Sequence, residues 1–162
     1  MKEKIVTAED ARAVADAMRG SGRKLVFTNG CFDLLHVGHV RYLEAARTLG
    51  DALLVAINGD ESVRALKGNG RPLNSEASRA EVVAALGCVD HVVIFPEVRA
   101  TALLQKVRPA IYVKGGDYTA DSLHADERDA LERMGTEIRI LPFEAGHSTS
   151  DLLGKIKTLS RQ

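Results

Sequence analysis

Short apolar runs alternate along this chain with stretches whose apolar positions recur every three or four residues. Ala11, Val14, Ala15 and Met18 repeat at i, i+3, i+4 and i+7, which puts them on one helix face. The preceding Thr7-Ala8-Glu9-Asp10 reads as a capping-box-like start. Gly20 and Gly22 stop the helix. Lys24 to Thr28 predicts a first strand, and Tyr42, Ala45, Ala46 and Leu49 a helix after it. Ala52 to Asn58 is a continuous apolar run, the signature of a strand buried on both faces.

The alternation continues. Ser75 caps a helix expected to run to about Leu86, and Val89 to Phe95 is a strand. Ala100, Leu103, Leu104 and Val107 share a helix face before a short strand from Ala110 to Lys114. A helix from Asp126 to Met134 and a strand from Glu137 to Leu141 follow. Ser148 begins a last helix that turns Leu152, Leu153, Ile156 and Leu159 inward. Strands alternating with helices predict the α/β class, here one Rossmann-like three-layer domain with a five-stranded parallel sheet. Residues 1–22 supply an N-terminal helix and residues 24–159 the core. In such sheets ligands sit beyond the carboxyl ends of the strands, where strand order reverses. Two connections are long, residues 67–74 and 115–125, and long loops in compact domains are more often functional than accidental.

Composition narrows the function classes. A chain of 162 residues, 45% hydrophobic and 27% charged, fits one soluble globular domain. Lys plus Arg equals Asp plus Glu at 22 each, so charge gives no broad case for nucleic acid or an anionic membrane. Two cysteines, Cys31 and Cys88, make no disulfide framework, and Cys88 in GCVDHVVIF is expected in the core. Free thiols, the lack of a signal-peptide pattern and the lack of a membrane-length apolar run predict a cytoplasmic protein.

The candidate chemistry gathers where the first strand ends. In TNGCFDLLHVGH, from Thr28 to His39, Asn29 and Gly30 turn the chain and His36, Val37, Gly38 and His39 open the next helix. His36 and His39 are three apart and project to the same side, and Gly38 permits close approach to the backbone. A helix N-terminus offers unpaired N–H groups and partial positive charge, so the tetrapeptide forms a phosphate site with two imidazole donors. A zinc site from Cys31, His36 and His39 lacks a completing ligand pair, and no metal is expected there. No G-x-G-x-x-G marks a dinucleotide site. Further along, Lys67 and Arg71 bracket Gly68 and Gly70 in a basic loop suited to closing over phosphates. In VKGGDY, Gly115 and Gly116 let a base or ribose approach, Asp117 accepts hydrogen bonds and Tyr118 offers a stacking face. Ser148, Thr149 and Ser150 supply hydroxyl and N–H groups at a helix start.

TNGCFDLLHVGH resembles the signature of the HxGH nucleotidyltransferase superfamily, in its cytidylyltransferase-like branch. The pattern T-x-G-x-F-D-x-x-H-x-G-H is met at Thr28, Gly30, Phe32, Asp33, His36, Gly38 and His39, and the likeness runs from about Leu25 to Ile156. The resemblance implies that His36, His39 and Lys67 act on the triphosphate as catalytic groups. It implies nucleotide contacts by Asn29, Gly30, Cys31, Phe32, Asp33, Gly38, Gly116, Asp117 and Tyr118. It implies that Ser148, Thr149 and Ser150 bind the β- and γ-phosphates, and that Arg71 and Arg79 bind phosphate or acceptor. His147 departs from the family pattern, which has an apolar residue or Cys before the Ser, and receives no catalytic role. The K-G-G-D-Y sequence is similar to the branch that adenylylates heptose 1-phosphates for lipopolysaccharide core. The glycerol-phosphate branch more typically has Trp where Tyr118 stands. The resemblance therefore implies AMP transfer from ATP, with Mg²⁺, to D-glycero-manno-heptose 1-phosphate, and by analogy a homo-oligomer. A cytidylyltransferase acting on glycerol 3-phosphate or a related alcohol phosphate, and a non-catalytic nucleotide-binding module, are the alternatives.

Overall fold

In a computed structural model, which describes residues 2–116 and 123–142, the strands form one wholly parallel sheet. They are β1 (Ile5–Val6), β2 (Leu25–Gly30), β3 (Ala52–Asn58), β4 (His91–Phe95), β5 (Ile111–Gly115) and β6 (Glu137–Leu141). The helices are α1 (Ala8–Gly20), α2 (Val37–Arg47), α3 (Asp60–Lys67), α4 (Glu76–Ala84), α5 (Thr101–Val107) and α6 (Ala125–Met134). The spatial order is β1-β4-β3-β2-β5-β6. From β2 the chain runs outward through β3 and β4, then returns to lay β5 on the other side of β2. The reversal of strand order therefore lies between β2 and β5, and their carboxyl ends open the kind of crevice in which such sheets bind ligands.

The sheet has six strands where five were expected. The addition is β1, in which Ile5 and Val6 pair with Val92 and Val93 at the sheet edge. Two residues are too short to carry a periodic signal. The helix α3 was also unforeseen; its eight residues, DESVRALK, are half charged and bury little besides Ser62 and Val63.

Two apolar layers flank the sheet. On one face Phe27, Leu54 and Tyr112 pack with Ala11, Ala15 and Met18 of α1, Leu104 of α5 and Leu131 of α6. On the other, Val26, Val55 and Val113 pack with Leu43 and Ala46 of α2 and Val83 of α4. This is the period-two alternation of a strand covered on both sides, and all seven residues of β3 are buried. Cys88 is partly buried against the second layer. The capping box forms as expected: Thr7 Oγ1 accepts from Asp10 N–H at 3.1 Å, and Thr7 N–H donates to Asp10 Oδ2 at 3.4 Å. Asp117, Tyr118, His147, Ser148, Thr149, Ser150 and the last helix lie outside the described residues.

Candidate active site

A cleft of about 630 Å³ opens at the β2/β5 crevice. Its lining includes Asn29, Gly30, Cys31, Phe32, Asp33 and His39 from the motif, with Lys67 from the end of α3 and Lys114 from the end of β5. Burial at the base of α2 sets one wall. Tyr42, one turn beyond His39, donates its hydroxyl to the Val113 carbonyl at 3.1 Å and lies 2.7 Å from the Thr28 hydroxyl. Both partners are buried strand positions, so α2 is tied to β2 and β5 at its second turn. Burial pushes the Tyr42 phenol far up, which keeps it a neutral hydrogen-bonding strut.

The histidines meet, although His36 is the extended N-cap of α2 rather than a helical residue and only His39 lies in its first turn. The rings of His36 and His39 lie 3.9 Å apart between centroids, and Phe32 packs at 5.4 Å from the His39 ring. His39 Nδ1 accepts from the His36 backbone N–H at 3.4 Å. In the neutral imidazole the proton then sits on Nε2, leaving that nitrogen as the donor. Burial, followed by the charges of His36 and Lys67, lowers the His39 pKa from 6.5 to about 4. His39 is neutral at physiological pH, a hydrogen-bond donor that needs no added proton.

Backbone shape explains two of the motif's residues. Phe32 adopts φ of 47°, a left-handed conformation that costs a residue with a Cβ about 1–2 kcal/mol. A Cβ on Gly30 would stand 3.0 Å from the Phe32 ring, so glycine at 30 makes room for it. With Phe32 only 8% exposed, its ring burial offsets the strain.

Asp33 does not present its carboxylate to the cleft as a free group. Its side chain is fully buried and accepts from Arg71 Nε at 2.6 Å, Leu73 N–H at 2.8 Å and Asn74 N–H at 3.0 Å. Asn74 Nδ2 returns a bond to the Asp33 carbonyl at 2.8 Å. Burial raises the carboxyl pKa, but the Asn74 and Leu73 N–H groups and Arg71 outweigh it, and the net direction is down. Asp33 thus pins the basic loop after α3 onto the motif, which is why Arg71 stands near it.

Arg79 was expected to bind phosphate or acceptor; the structure builds it into the frame instead. It is 2% exposed and is absent from the cleft lining. Its guanidinium donates to Asn74 O at 3.0 Å, Cys31 O at 2.6 Å and Asp60 Oδ1 at 2.7 Å. These bonds join α4, the start of α3 and the motif loop. Cys31 reaches the cleft, but burial pushes its thiol up against the opposing pull of Lys67 and Arg79, so it remains protonated. Gly38 is buried in the first turn of α2, and Gly116 takes a positive φ of 97°.

Several lining residues were not singled out from the sequence. Asn58 and Lys114 are the polar ends of apolar strand runs, and a polar residue at the carboxyl end of a buried strand was a usable signal. Arg99, His124 and Glu127 carried none, because their place in the cleft depends on how α5 and α6 dock. Among the described residues the cleft carboxylates are Asp33 and Glu127, both already hydrogen-bonded within the protein.

Comparison with known proteins identifies the family. Residues 27–153 match the family described as cytidylyltransferase-like. Over 155 residues, 96% of this chain, the sequence is 48% identical to a protein named Bifunctional protein HldE from Geotalea uraniireducens. Its counterpart from Geobacter metallireducens is 46% identical over 153 residues, 94% of this chain. The matched region is 31% of each relative's length, so the chain spans about a third of the proteins it matches. Among solved structures, a lipopolysaccharide core biosynthesis protein from Thermoplasma volcanium superposes with a TM-score of 0.63 at 27% identity, covering 76% of this chain and 98% of that one. A pantoate-beta-alanine ligase from Francisella tularensis shares the fold at a TM-score of 0.57 and 14% identity, covering 98% of this chain and 79% of that one. With its histidine pair at the strand-order reversal and a match over most of its length, the chain belongs to the cytidylyltransferase-like family.

Proposed function

We propose that the chain is an adenylyltransferase that moves AMP from ATP to D-glycero-manno-heptose 1-phosphate, giving ADP-heptose and pyrophosphate for lipopolysaccharide core. The observation that carries the reaction class is the His36–His39 pair, 3.9 Å apart at the N-terminus of α2 beside the β2/β5 crevice. The sugar rests on the K-G-G-D-Y resemblance, supported by near-half identity to the HldE proteins and by the lipopolysaccharide-core neighbour.

An oxygen of the acceptor phosphate forms a bond to the α-phosphorus of ATP. The bond from that phosphorus to the bridging oxygen breaks, and pyrophosphate leaves with its electron pair. The attacking oxygen is already anionic, so no base is required and the protein aligns and stabilises. Neutral His39 donates through Nε2 to charge growing on the phosphate oxygens. Lys67 adds positive charge on the same wall, and Ser148, Thr149 and Ser150 are assigned to the β- and γ-phosphates. Arg71 stays assigned to the anionic ligands through the loop that Asp33 holds. Mg²⁺ accompanying ATP would be held chiefly by phosphate oxygens and water and would neutralise triphosphate charge, since among the described residues the cleft carboxylates Asp33 and Glu127 are engaged within the protein. Among the described residues no helix is long and apolar enough to cross a membrane. On the family resemblance, we propose a cytoplasmic homo-oligomer.

The test is pyrophosphate release with ATP or CTP and each acceptor, in wild type and His39→Ala. ATP with the heptose phosphate should turn over, and His39→Ala should lose roughly 100-fold or more in kcat/KM with its circular dichroism unchanged, the scale of one lost transition-state donor. Near-normal turnover of the variant overturns the histidine role. The family's name favours CTP as the nucleotide of a second reading, whose acceptor would be glycerol 3-phosphate or a related alcohol phosphate, and consumption of CTP without ATP would establish it. Binding of ATP with no turnover on either acceptor would instead mark a nucleotide-binding module.

A further inference from the structure

Nucleotidyl transfer brings two anionic groups into one cleft, and the wall formed by α2 and Lys67 serves only one of them. The opposite wall carries polar groups that the mechanism above leaves unused. Side chains alternate along a strand, so Asn29 follows Phe27, Asn58 follows Ala56 and Lys114 follows Tyr112 onto the face covered by α1, α5 and α6. His39 rises from α2 on the other face. Asn29, Asn58, Arg99, Lys114 and Glu127 all line the cleft.

These groups are held in place. Asn58 Nδ2 donates to the Glu97 and Val98 carbonyls at 3.3 and 3.4 Å, and Glu127 Oε1 accepts from Ala100 N–H at 3.0 Å. The turn after β4 is thereby fixed on both sides of Arg99, an exposed residue that lines the cleft. Lys114 Nζ lies 3.4 Å from Asn29 Oδ1, an oxygen that also accepts from the Tyr112 hydroxyl at 2.8 Å. Burial pulls the Lys114 pKa down, opposed by the Glu127 carboxylate, so a phosphate entering here would stabilise its charge. In-line displacement requires the attacking phosphate to approach from the side away from the departing pyrophosphate. Two separate sets of cations meet that requirement better than one.

We infer that Arg99 and Lys114 bind the phosphate of the acceptor, on the cleft wall facing α2. Asn29, Asn58 and Glu127 are positioning residues that hold Lys114 and the Arg99 turn. The acceptor's identity as a sugar phosphate rests on the function proposed above; the anion subsite rests on the geometry.

The experiment is calorimetric titration of the intact protein and of Arg99→Gln, Lys114→Met and Lys114→Arg. The probes are α,β-methylene-ATP alone, then heptose 1-phosphate and inorganic phosphate, each added to the analogue-loaded protein. Arg99→Gln and Lys114→Met should each weaken both phosphate probes by about tenfold or more, as expected for losing a charge-assisted partner. Their affinity for the ATP analogue should change by less than about threefold, and Lys114→Arg should recover part of the loss. Equal weakening of analogue and phosphate, no weakening, or no phosphate binding by the wild type overturns the inference. Phosphate binding that depends on Arg99 and Lys114, with no affinity for heptose 1-phosphate, supports the subsite and sinks the sugar assignment alone.

Discussion

Asp33→Asn removes one charge at the joint between the motif and the basic loop while nearly preserving shape. The asparagine Oδ1 can still accept from Leu73 and Asn74 N–H, which the aspartate holds at 2.8 and 3.0 Å. What is lost is the partner of Arg71, whose Nε now meets an amide donor where a carboxylate oxygen stood at 2.6 Å. The Asp33 side chain is fully buried and that of Arg71 is 14% exposed, so water reaches the stranded guanidinium only in part. Breaking such a pair from one side costs about 3 kcal/mol, the lower end of the range for buried ion pairs. Urea unfolding read by circular dichroism would show this as a midpoint lowered by ~1–2 M at unchanged slope. A double-mutant cycle with Arg71→Met isolates the pair, because the methionine leaves no charge to strand, and a coupling of about 1 kcal/mol or more is expected. The carboxyl pKa is depressed in the folded state, so this contribution is present above the ordinary value of 3.8 and is lost as pH falls through the folded value. The asparagine variant should lack that acid limb. A loss in Asp33→Asn below about 0.5 kcal/mol, or a coupling near zero, would refute the claim that Asp33 anchors the loop.

Arg79→Met should destabilise by about 3 kcal/mol in the same assay, since it strands the Cys31 and Asn74 carbonyls and the Asp60 carboxylate together, and Arg79→Lys should recover only part. His39 has a folded pKa near 4 against 6.5 unfolded, so the unfolded chain takes up a proton that the folded chain refuses. Stability should therefore decline as pH drops from 6.5 toward 4, by roughly 1–2 kcal/mol after allowance for solvent screening, and His39→Asn should remove that decline. An unchanged pH profile in the variant would count against the buried neutral imidazole. Gly50→Ala sets a Cβ 2.7 Å from both the Lys24 carbonyl and Val26 Cγ2, and a midpoint loss equivalent to about 1–3 kcal/mol is expected with activity unaffected per folded molecule.

The parts of this molecule that could be read from its sequence are those fixed by local pattern. The buried run of β3 and the Thr7 cap needed only neighbours within a few residues. The meeting of His36 and His39 needed only the local start of α2, with His36 as its extended N-cap and His39 in its first turn. What escaped was set by distant partners. The two residues of β1 become a strand only because β4 offers an open edge. Arg79 has the character of an anion-binding residue in sequence, and only the arrival of Cys31 O, 48 residues away, makes it a strut. Lys114 is a cation near the end of an otherwise apolar strand, and its place in the cleft is set by the pairing of β5 with β2 and β6.

One short segment joins the fold to the chemistry. Cys31 gives its carbonyl to Arg79, Phe32 gives its strained backbone and ring to the gap at Gly30 and the edge of His39, and Asp33 gives its carboxylate to the basic loop. A loop opened by Asn-Gly could have been mobile, yet all three residues after it are engaged. The histidine that follows is fixed in one tautomer by its own helix start and kept neutral by burial. A donor set in advance needs little reorganisation when charge develops on phosphate, and this lowers a transition state more than a mobile cation of equal strength would. Buried polar bonds thus build the frame around His39, the donor of the proposed reaction. On that logic, substitutions of Asp33 and Arg79 should lower kcat more than they raise KM for ATP, because they disturb the alignment of a donor without removing a ligand contact.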